Sequence, residues 1–319
     1  MKREVATQWH KIEEAIAADD FTVGVPANPV TRSLDLRGIR ITSSLVKTID
    51  LISAAKIPAF FVSEELCHMM CGDEVNHSIV ALMDAGRTKL PYEHMIVEFD
   101  APGDIECDGK RTQIKMRVIT FIGDSGKGDW FVIMFRRAIV DGKPVTMLPA
   151  QTLIVTPAII DEGNGIRKSG MDVQTSHVFW DTPNYKVYGD FEKARHEAAR
   201  IDASDATVAV TAAMLLLHTK GVERDVVDVT KLNKSRVKAG KRAIIPHAVL
   251  HIGTITSRDG TKRKYVPGDK LMVPHWRRGH YRKQKYGPKW SMERDIYIEP
   301  MIVNYKGDDV APARKTLAW

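Results

Sequence analysis

Thr112-Gln-Ile-Lys-Met-Arg-Val-Ile-Thr-Phe-Ile122, a turn at Asp124-Ser-Gly-Lys-Gly-Asp129, and Trp130-Phe-Val-Ile-Met-Phe-Arg136 together decide the fold. β-Branched and aromatic residues fill both runs, and the glycine-rich turn between them is too short for a crossover helix. Two adjacent antiparallel strands are therefore expected. Met95-Ile-Val-Glu-Phe99 and Pro149 to Ile160 read as further strands, divided by turn signals at Cys107-Asp-Gly-Lys110 and Asp141-Gly-Lys-Pro144. Strands joined by short connections make an antiparallel meander. The glycines at 123–128 do not make a phosphate-binding loop, because Gly-Lys is followed there by Gly and a strand rather than by Ser/Thr and a helix.

Outward from the meander the chain is helical. Glu4 to Ala18 places Trp9, Ile12 and Ile16 on one face, which predicts an amphipathic, peripheral helix ending at Asp19-Asp20. A second helix is expected from Thr42-Ser-Ser44 to just before Pro58, and a third over Glu64 to Ala85 with a break at Gly72-Asp73. After the meander, 161–188 reads as mostly loop with a short strand at His177-Val-Phe-Trp180. Phe191 to Ile201 is an amphipathic helical pattern, while Ala206 to Thr219 is almost wholly Ala, Val, Met and Leu. That second run predicts a buried helix on the sheet, too short to span a bilayer. The expected class is α+β: N-terminal helices, a central antiparallel sheet with a buried helix, and a basic C-terminal strand–loop–strand. The expected division is a helical N-terminal region, 1–88, and an α+β domain, 89–319, whose basic face spans 231–294.

The 319 residues can bury a large core, and 44% hydrophobic with 27% charged residues is ordinary for a globular protein. Met1 to His10 has basic residues without an apolar block behind them, so no secretory leader is expected. Three cysteines make no disulfide framework, and a reduced, cytoplasmic setting is expected. Cys67 and Cys71 share a helix face and His77 is near, but the second ligand pair of a structural zinc site is missing. Buried cysteines acting as small hydrophobes are the stronger reading. No cofactor is expected.

Charge is divided sharply. Lys231 to Arg294 holds eighteen Lys/Arg against Asp259, Asp269 and Glu293, a net of +15 in a chain whose total is +7. Such asymmetry is the footprint of a polyanion-binding face on an acidic body. Two stretches carry it. One is Lys231-Leu-Asn-Lys-Ser-Arg-Val-Lys-Ala-Gly-Lys-Arg242, whose basic residues recur every two to four positions along a helical turn or loop. The other is Val273-Pro-His-Trp-Arg-Arg-Gly-His-Tyr-Arg-Lys-Gln-Lys-Tyr-Gly-Pro-Lys-Trp290, acid-free and rich in rings. Strands are expected on both sides of it, at Ala248 to Thr256 and at Arg294 to Glu299, the latter as a sheet edge.

The two stretches, with the closing Glu299-Pro-Met-Ile-Val-Asn304, resemble a broad phage and prophage family. Its members share an asparagine-containing basic segment ending in Gly-Lys, then a His-x-Arg-Arg-Gly-His-aromatic-Arg block and a closing strand. The resemblance covers about 231–304, and Leu90 to Phe99 looks like a strand of the same family. Tyr281 stands where members often have Trp, which keeps a planar ring. Most members have no assigned activity. One branch, less similar to this chain, is a type V-A anti-CRISPR that lowers the CRISPR nuclease by causing loss of its mRNA during translation. The resemblance implies a phage-encoded accessory or anti-defence protein acting in the host cytoplasm.

Three functions follow from the residues. In the first, Lys231, Lys234, Arg236, Lys238, Lys241, Arg242, Arg277, Arg278, Arg282, Lys283, Lys285 and Lys289 hold phosphates of RNA or a ribonucleoprotein. Tyr281, with Trp276, Tyr286 and Trp290, then stacks on unpaired bases, unless the tryptophans are core anchors. In the second, His275 and His280 cleave RNA without a metal while Arg278 stabilises the charged phosphorane. The alternative for those histidines is to brace the turn by backbone hydrogen bonds. In the third, the chain binds only protein, a host factor or a nascent chain, selected by the first 85 residues. A metal centre in the block is disfavoured, since guanidinium groups repel a cation and no carboxylate is present.

Overall fold

A computed structural model of the protein describes residues 7–18, 20–23, 40–41, 43–55, 57–70, 73–84, 89–107, 110–140, 142–149, 151–161, 167–178, 180–181, 202–203, 205–217, 219, 222–252, 255–256, 262–263, 275–277, 280–288, 291–298 and 301–303. At some of these positions, Trp276, His275, His280 and Tyr281 among them, it describes the backbone alone. The helices are α1 (Trp9–Ala17), α2 (Ser43–Ala54), α3 (Glu64–Met69), α4 (Asp73–Asp84), α5 (205–215) and α6 (Thr230–Lys238). Strands before the meander are β1 (Thr22–Val23), β2 (Arg40–Ile41) and β3 (Ala59–Val62). The meander and its extension are β4 (His94–Cys107), β5 (Lys110–Asp124), β6 (Trp130–Val140), β7 (Lys143–Leu148), β8 (Gln151–Asp161), β9 (Arg167–Val178) and β10 (Trp180–Asp181). The C-terminal third adds β11 (Val222–Val227), β12 (His247–Ile252), β13 (Ile255–Thr256), β14 (Lys262–Arg263), β15 (His275–Arg277), β16 (His280–Tyr286), β17 (Met292–Ile298) and β18 (Met301–Val303).

Ten strands make one sheet in the order β1-β7-β6-β5-β4-β3-β12-β11, with β8 beside the start of β6 and β9 beside β8. The meander β4–β7 is antiparallel, and the turn between β5 and β6 puts Gly126 and Gly128 at positive φ. Three pairings are parallel: β3 with β4, β3 with β12, and β1 with β7. The α+β class holds, with a sheet that is mixed rather than wholly antiparallel.

Alternation along the strands builds two cores. Met95, Val97, Phe99, Val118, Ile122, Val132 and Met134 belong to one, covered by Leu66 of α3, Ile79 and Leu82 of α4, and the Ala-rich α5. Small side chains at Ala206, Ala209 and Ala213 let α5 lie close to the strands, as its composition predicts. Ile96, Ile119, Phe121, Ile133 and Phe135 belong to the other, under Trp9 and Ile12 of α1 and Leu45, Ile49 and Ile52 of α2. The layers are thus helix, sheet, helix. Among the described residues, no helix is long and apolar enough to cross a membrane.

Three expectations need correction. First, α1 is not peripheral: Trp9 is wholly buried, edge-on to Phe135 at 5.4 Å, with its Nε1 donating to Ser53 Oγ at 3.1 Å. Its N-terminus is held by Glu98, a buried carboxylate, which accepts from Thr7 Oγ1 and from the Gln8 N–H at 2.8 Å. Burial pushes the Glu98 carboxyl up to about 6, against the opposing pull of these donors and of Arg117, 3.6 Å away. Second, 167–178 is a twelve-residue strand, β9, rather than loop. Its polar side chains and Gly170 hide the alternation, and pairing with β8 supplies the order. Third, the strand beginning near Arg294 is no edge of the large sheet: β17 pairs with β16 in a separate two-stranded ribbon. Apolar alternation in so short a strand cannot say which neighbour it joins.

Candidate nucleic-acid interface

The first basic stretch folds as α6, in which no residue is buried. Asp228 accepts from the Thr230 N–H at 2.9 Å at its start. At its end Gly240 takes φ +69°, and two reversed bonds close the helix, Gly240 N–H to Val237 O at 3.0 Å and Lys241 N–H to Arg236 O at 2.9 Å. The Gly-Lys pair is therefore a helix stop. Asn233 fixes the return of the chain, donating to Ile244 O at 2.8 Å and accepting from the Ile244 N–H at 2.7 Å.

This geometry sorts the cations. Arg236, only 14% exposed at its side chain, donates to Glu14 Oε1 at 2.6 Å and to Arg242 O at 2.9 Å. Arg242 meets Glu13 at 3.5 Å and Asp50 at 3.8 Å. Both arginines are thus tied to α1 and α2, and their nearest anions are the protein's own. Arg236 also helps burial hold His10 down at about 4, so that imidazole is neutral at pH 7. Lys231, Lys234, Lys238 and Lys241 remain exposed, the first three on one stripe at helical spacing. None of the four forms an ion pair with a described carboxylate, although Asp228 stands close enough for Lys231 to help lower its pKa, after the stronger pull of the Thr230 N–H.

The second stretch folds as two small ribbons. β15 pairs with β18, placing Arg277 opposite Met301, and the Arg277 side chain is exposed. β16 and β17 pair from His280 opposite Ile298 to Tyr286 opposite Met292. Directly opposed residues share a face. One face carries the Tyr281–Tyr297, Lys283–Asp295 and Lys285–Glu293 pairs, the last at 3.9 Å, so each of its two lysines stands opposite an acid. Tyr297 of this face packs against the core. The other carries Arg282–Ile296, Gln284–Arg294 and Tyr286–Met292, with no acid, and the Arg294 guanidinium lies 5.1 Å from the Tyr286 ring centroid. Arg282, Lys283 and Lys285 are all exposed. Arg294 and Gln284 escaped the sequence reading; period-two alternation carried across the hairpin is the signal that finds them.

The side chains of His275, His280, Tyr281 and Trp276, and the whole of Arg278, Lys289 and Trp290, lie outside the described residues. So do Cys71 and the His77 side chain; Cys67 is a half-buried side chain packed on the α3–α5 core. Among the described residues there is no cluster of His, Cys, Asp and Glu that could hold a metal.

The AcrVA2-like family, described as the anti-CRISPR type V subtype A2 family, matches residues 60–305. That span runs from the central strand β3 through both basic ribbons, most of the chain. The protein belongs to this family. Membership makes it a phage anti-defence accessory protein and agrees with the likeness read from the C-terminal block. The match begins inside the sheet, after α1 and α2, so the helices that neutralise Arg236 and Arg242 precede the matched region. No protein of curated function matches the chain.

Proposed function

We propose that this anti-CRISPR-family protein acts by binding RNA, free or within a ribonucleoprotein, through its basic C-terminal face. The observation that carries the reading is the lysine stripe of α6. A helix with no buried side chain contributes little to the core, yet Asp228 holds its first N–H, backbone bonds at Gly240 and Lys241 close its end, and Asn233 clamps the returning chain. Such fixing gives Lys231, Lys234 and Lys238 a constant spacing, which a polyanion with regularly repeating phosphates can use. The partner class is RNA of the infected cell, free or in a ribonucleoprotein, consistent with a family directed against a host defence. The test is a salt titration of the purified chain with labelled RNA. Binding that weakens with salt is expected, and changing Lys231, Lys234 and Lys238 together to Gln lowers the log–log slope by about 2. Absence of binding at low salt overturns the proposal.

A further inference from the structure

The ribbon β16–β17 differs from α6 in one chemical respect: its acid-free face holds an aromatic ring as well as cations. Tyr286 is 37% exposed, and the Arg294 guanidinium stands over it. Arg282 and Gln284 precede it on alternate positions of β16, with Arg294 opposite Gln284. Alternate residues of a strand stand ~6.8 Å apart, which suits successive units of an extended polynucleotide better than the stacked rise of a duplex. On the other face two lysines, Lys283 and Lys285, stand opposite two acids, Asp295 and Glu293, so its charges balance and a polyanion is directed to the Tyr286 side.

We infer that this face is a single-stranded RNA platform: Arg282 and Arg294 take phosphates, the Tyr286 ring stacks on an unpaired base, and Gln284 bonds a base edge. The inference rests on the RNA-binding reading and divides its labour. The α6 lysines contact phosphates of any RNA, whereas the ribbon requires bases whose faces are free. An acidic protein surface would satisfy the cations but leave the ring without a planar partner.

The test compares binding of the full chain to a short labelled oligouridine, to an RNA duplex of equal length and to polyglutamate. Tyr286→Leu is expected to weaken oligouridine binding by about 5- to 100-fold and to leave duplex binding unchanged. Arg294→Gln follows the same pattern more weakly, and the α6 triple Lys→Gln variant weakens both RNAs. Tyr286 is solvent-facing, so circular dichroism of Tyr286→Leu should match the parent. If Tyr286→Leu binds oligouridine like the parent while the α6 variant is impaired, the platform is wrong and the RNA reading survives. Equal losses for duplex and oligouridine, or polyglutamate bound as tightly as oligouridine, also overturn the platform. If the parent binds neither RNA at low salt, the underlying reading falls instead.

Discussion

Arg236 of α6 and Glu14 of α1 meet at 2.6 Å across 222 residues of chain. Glu14 is held below its usual range by its hydrogen bonds to Lys11 and Arg236, which outweigh the burial that opposes them. The pair fastens an exposed basic helix to a core helix, and the prediction is that Arg236 serves stability more than phosphate binding. Arg236→Ala should cost about 1.5–3 kcal/mol in urea unfolding, since it also loses the bond to Arg242 O. Lys234→Gln should cost almost nothing in the same measurement and more in RNA affinity. A reversed ranking in both measurements would mean that the cations are sorted the other way.

Glu98 makes stability depend on pH with a sign opposite to that of an exposed, paired carboxylate. Its folded pKa, about 6, lies above the ordinary 4.5, so the folded state keeps a proton that the unfolded state releases. Stability therefore falls as pH rises from about 4.5 to about 6, by about 2 kcal/mol from this group. Glu13, also raised by burial, adds a contribution of the same sign. Glu98→Gln should remove this slope, so that the wild-type-minus-variant stability difference falls by about 2 kcal/mol across that window, followed by thermal melts in matched buffers. Identical pH profiles for the two proteins would refute the assignment.

Arg136 joins β6 to the start of α5, with Nη1 2.6 Å from Asp202 and Nη2 2.7 Å from Asp205. All three groups are largely withdrawn from water, and burial raises the Asp202 carboxyl even beside the arginine. Arg136→Met strands two acids next to an apolar helix and should cost about 3–5 kcal/mol. Adding Asp202→Asn and Asp205→Asn should recover part of that loss. Chemical denaturation of the single and triple variants gives the comparison, and a single variant as stable as the parent would remove the triad from the account.

Catalysis by the two block histidines has a direct check. Incubated with labelled RNA in EDTA, both the parent chain and His280→Ala should leave the RNA intact. Cleavage by the parent that disappears in His280→Ala and in His275→Ala would turn the binding protein into a metal-independent ribonuclease.

The meander and the buried helix could be read from the chain because their patterns are local. Thr112 to Ile122 and Trp130 to Arg136 state their own alternation, and Ala206 to Leu216 states its own burial. What could not be read is set by partners distant in sequence. β9 takes its order from β8, and Glu98 looks like a polar interruption until the α1 N-terminus closes over it. The basic face was legible as a sum and not as an arrangement. Arg236 and Arg242 could be read as cations, but their ion pairs with Glu14 and Glu13 come from the far end of the chain, and Arg294 has its place from the register opposite Gln284.

β3 lies between β4, which follows it closely in the chain, and β12, which comes from the far end. During synthesis, then, β3 can find one neighbour early but must wait for the other until nearly the whole chain has left the ribosome. Phe60 and Val62 spend that interval in a sheet with a bare flank, a standing invitation to the wrong strand. A product cut short before His247 keeps that flank open permanently. The late-arriving C-terminal third is the part that finishes the protein as well as the part that carries its charge.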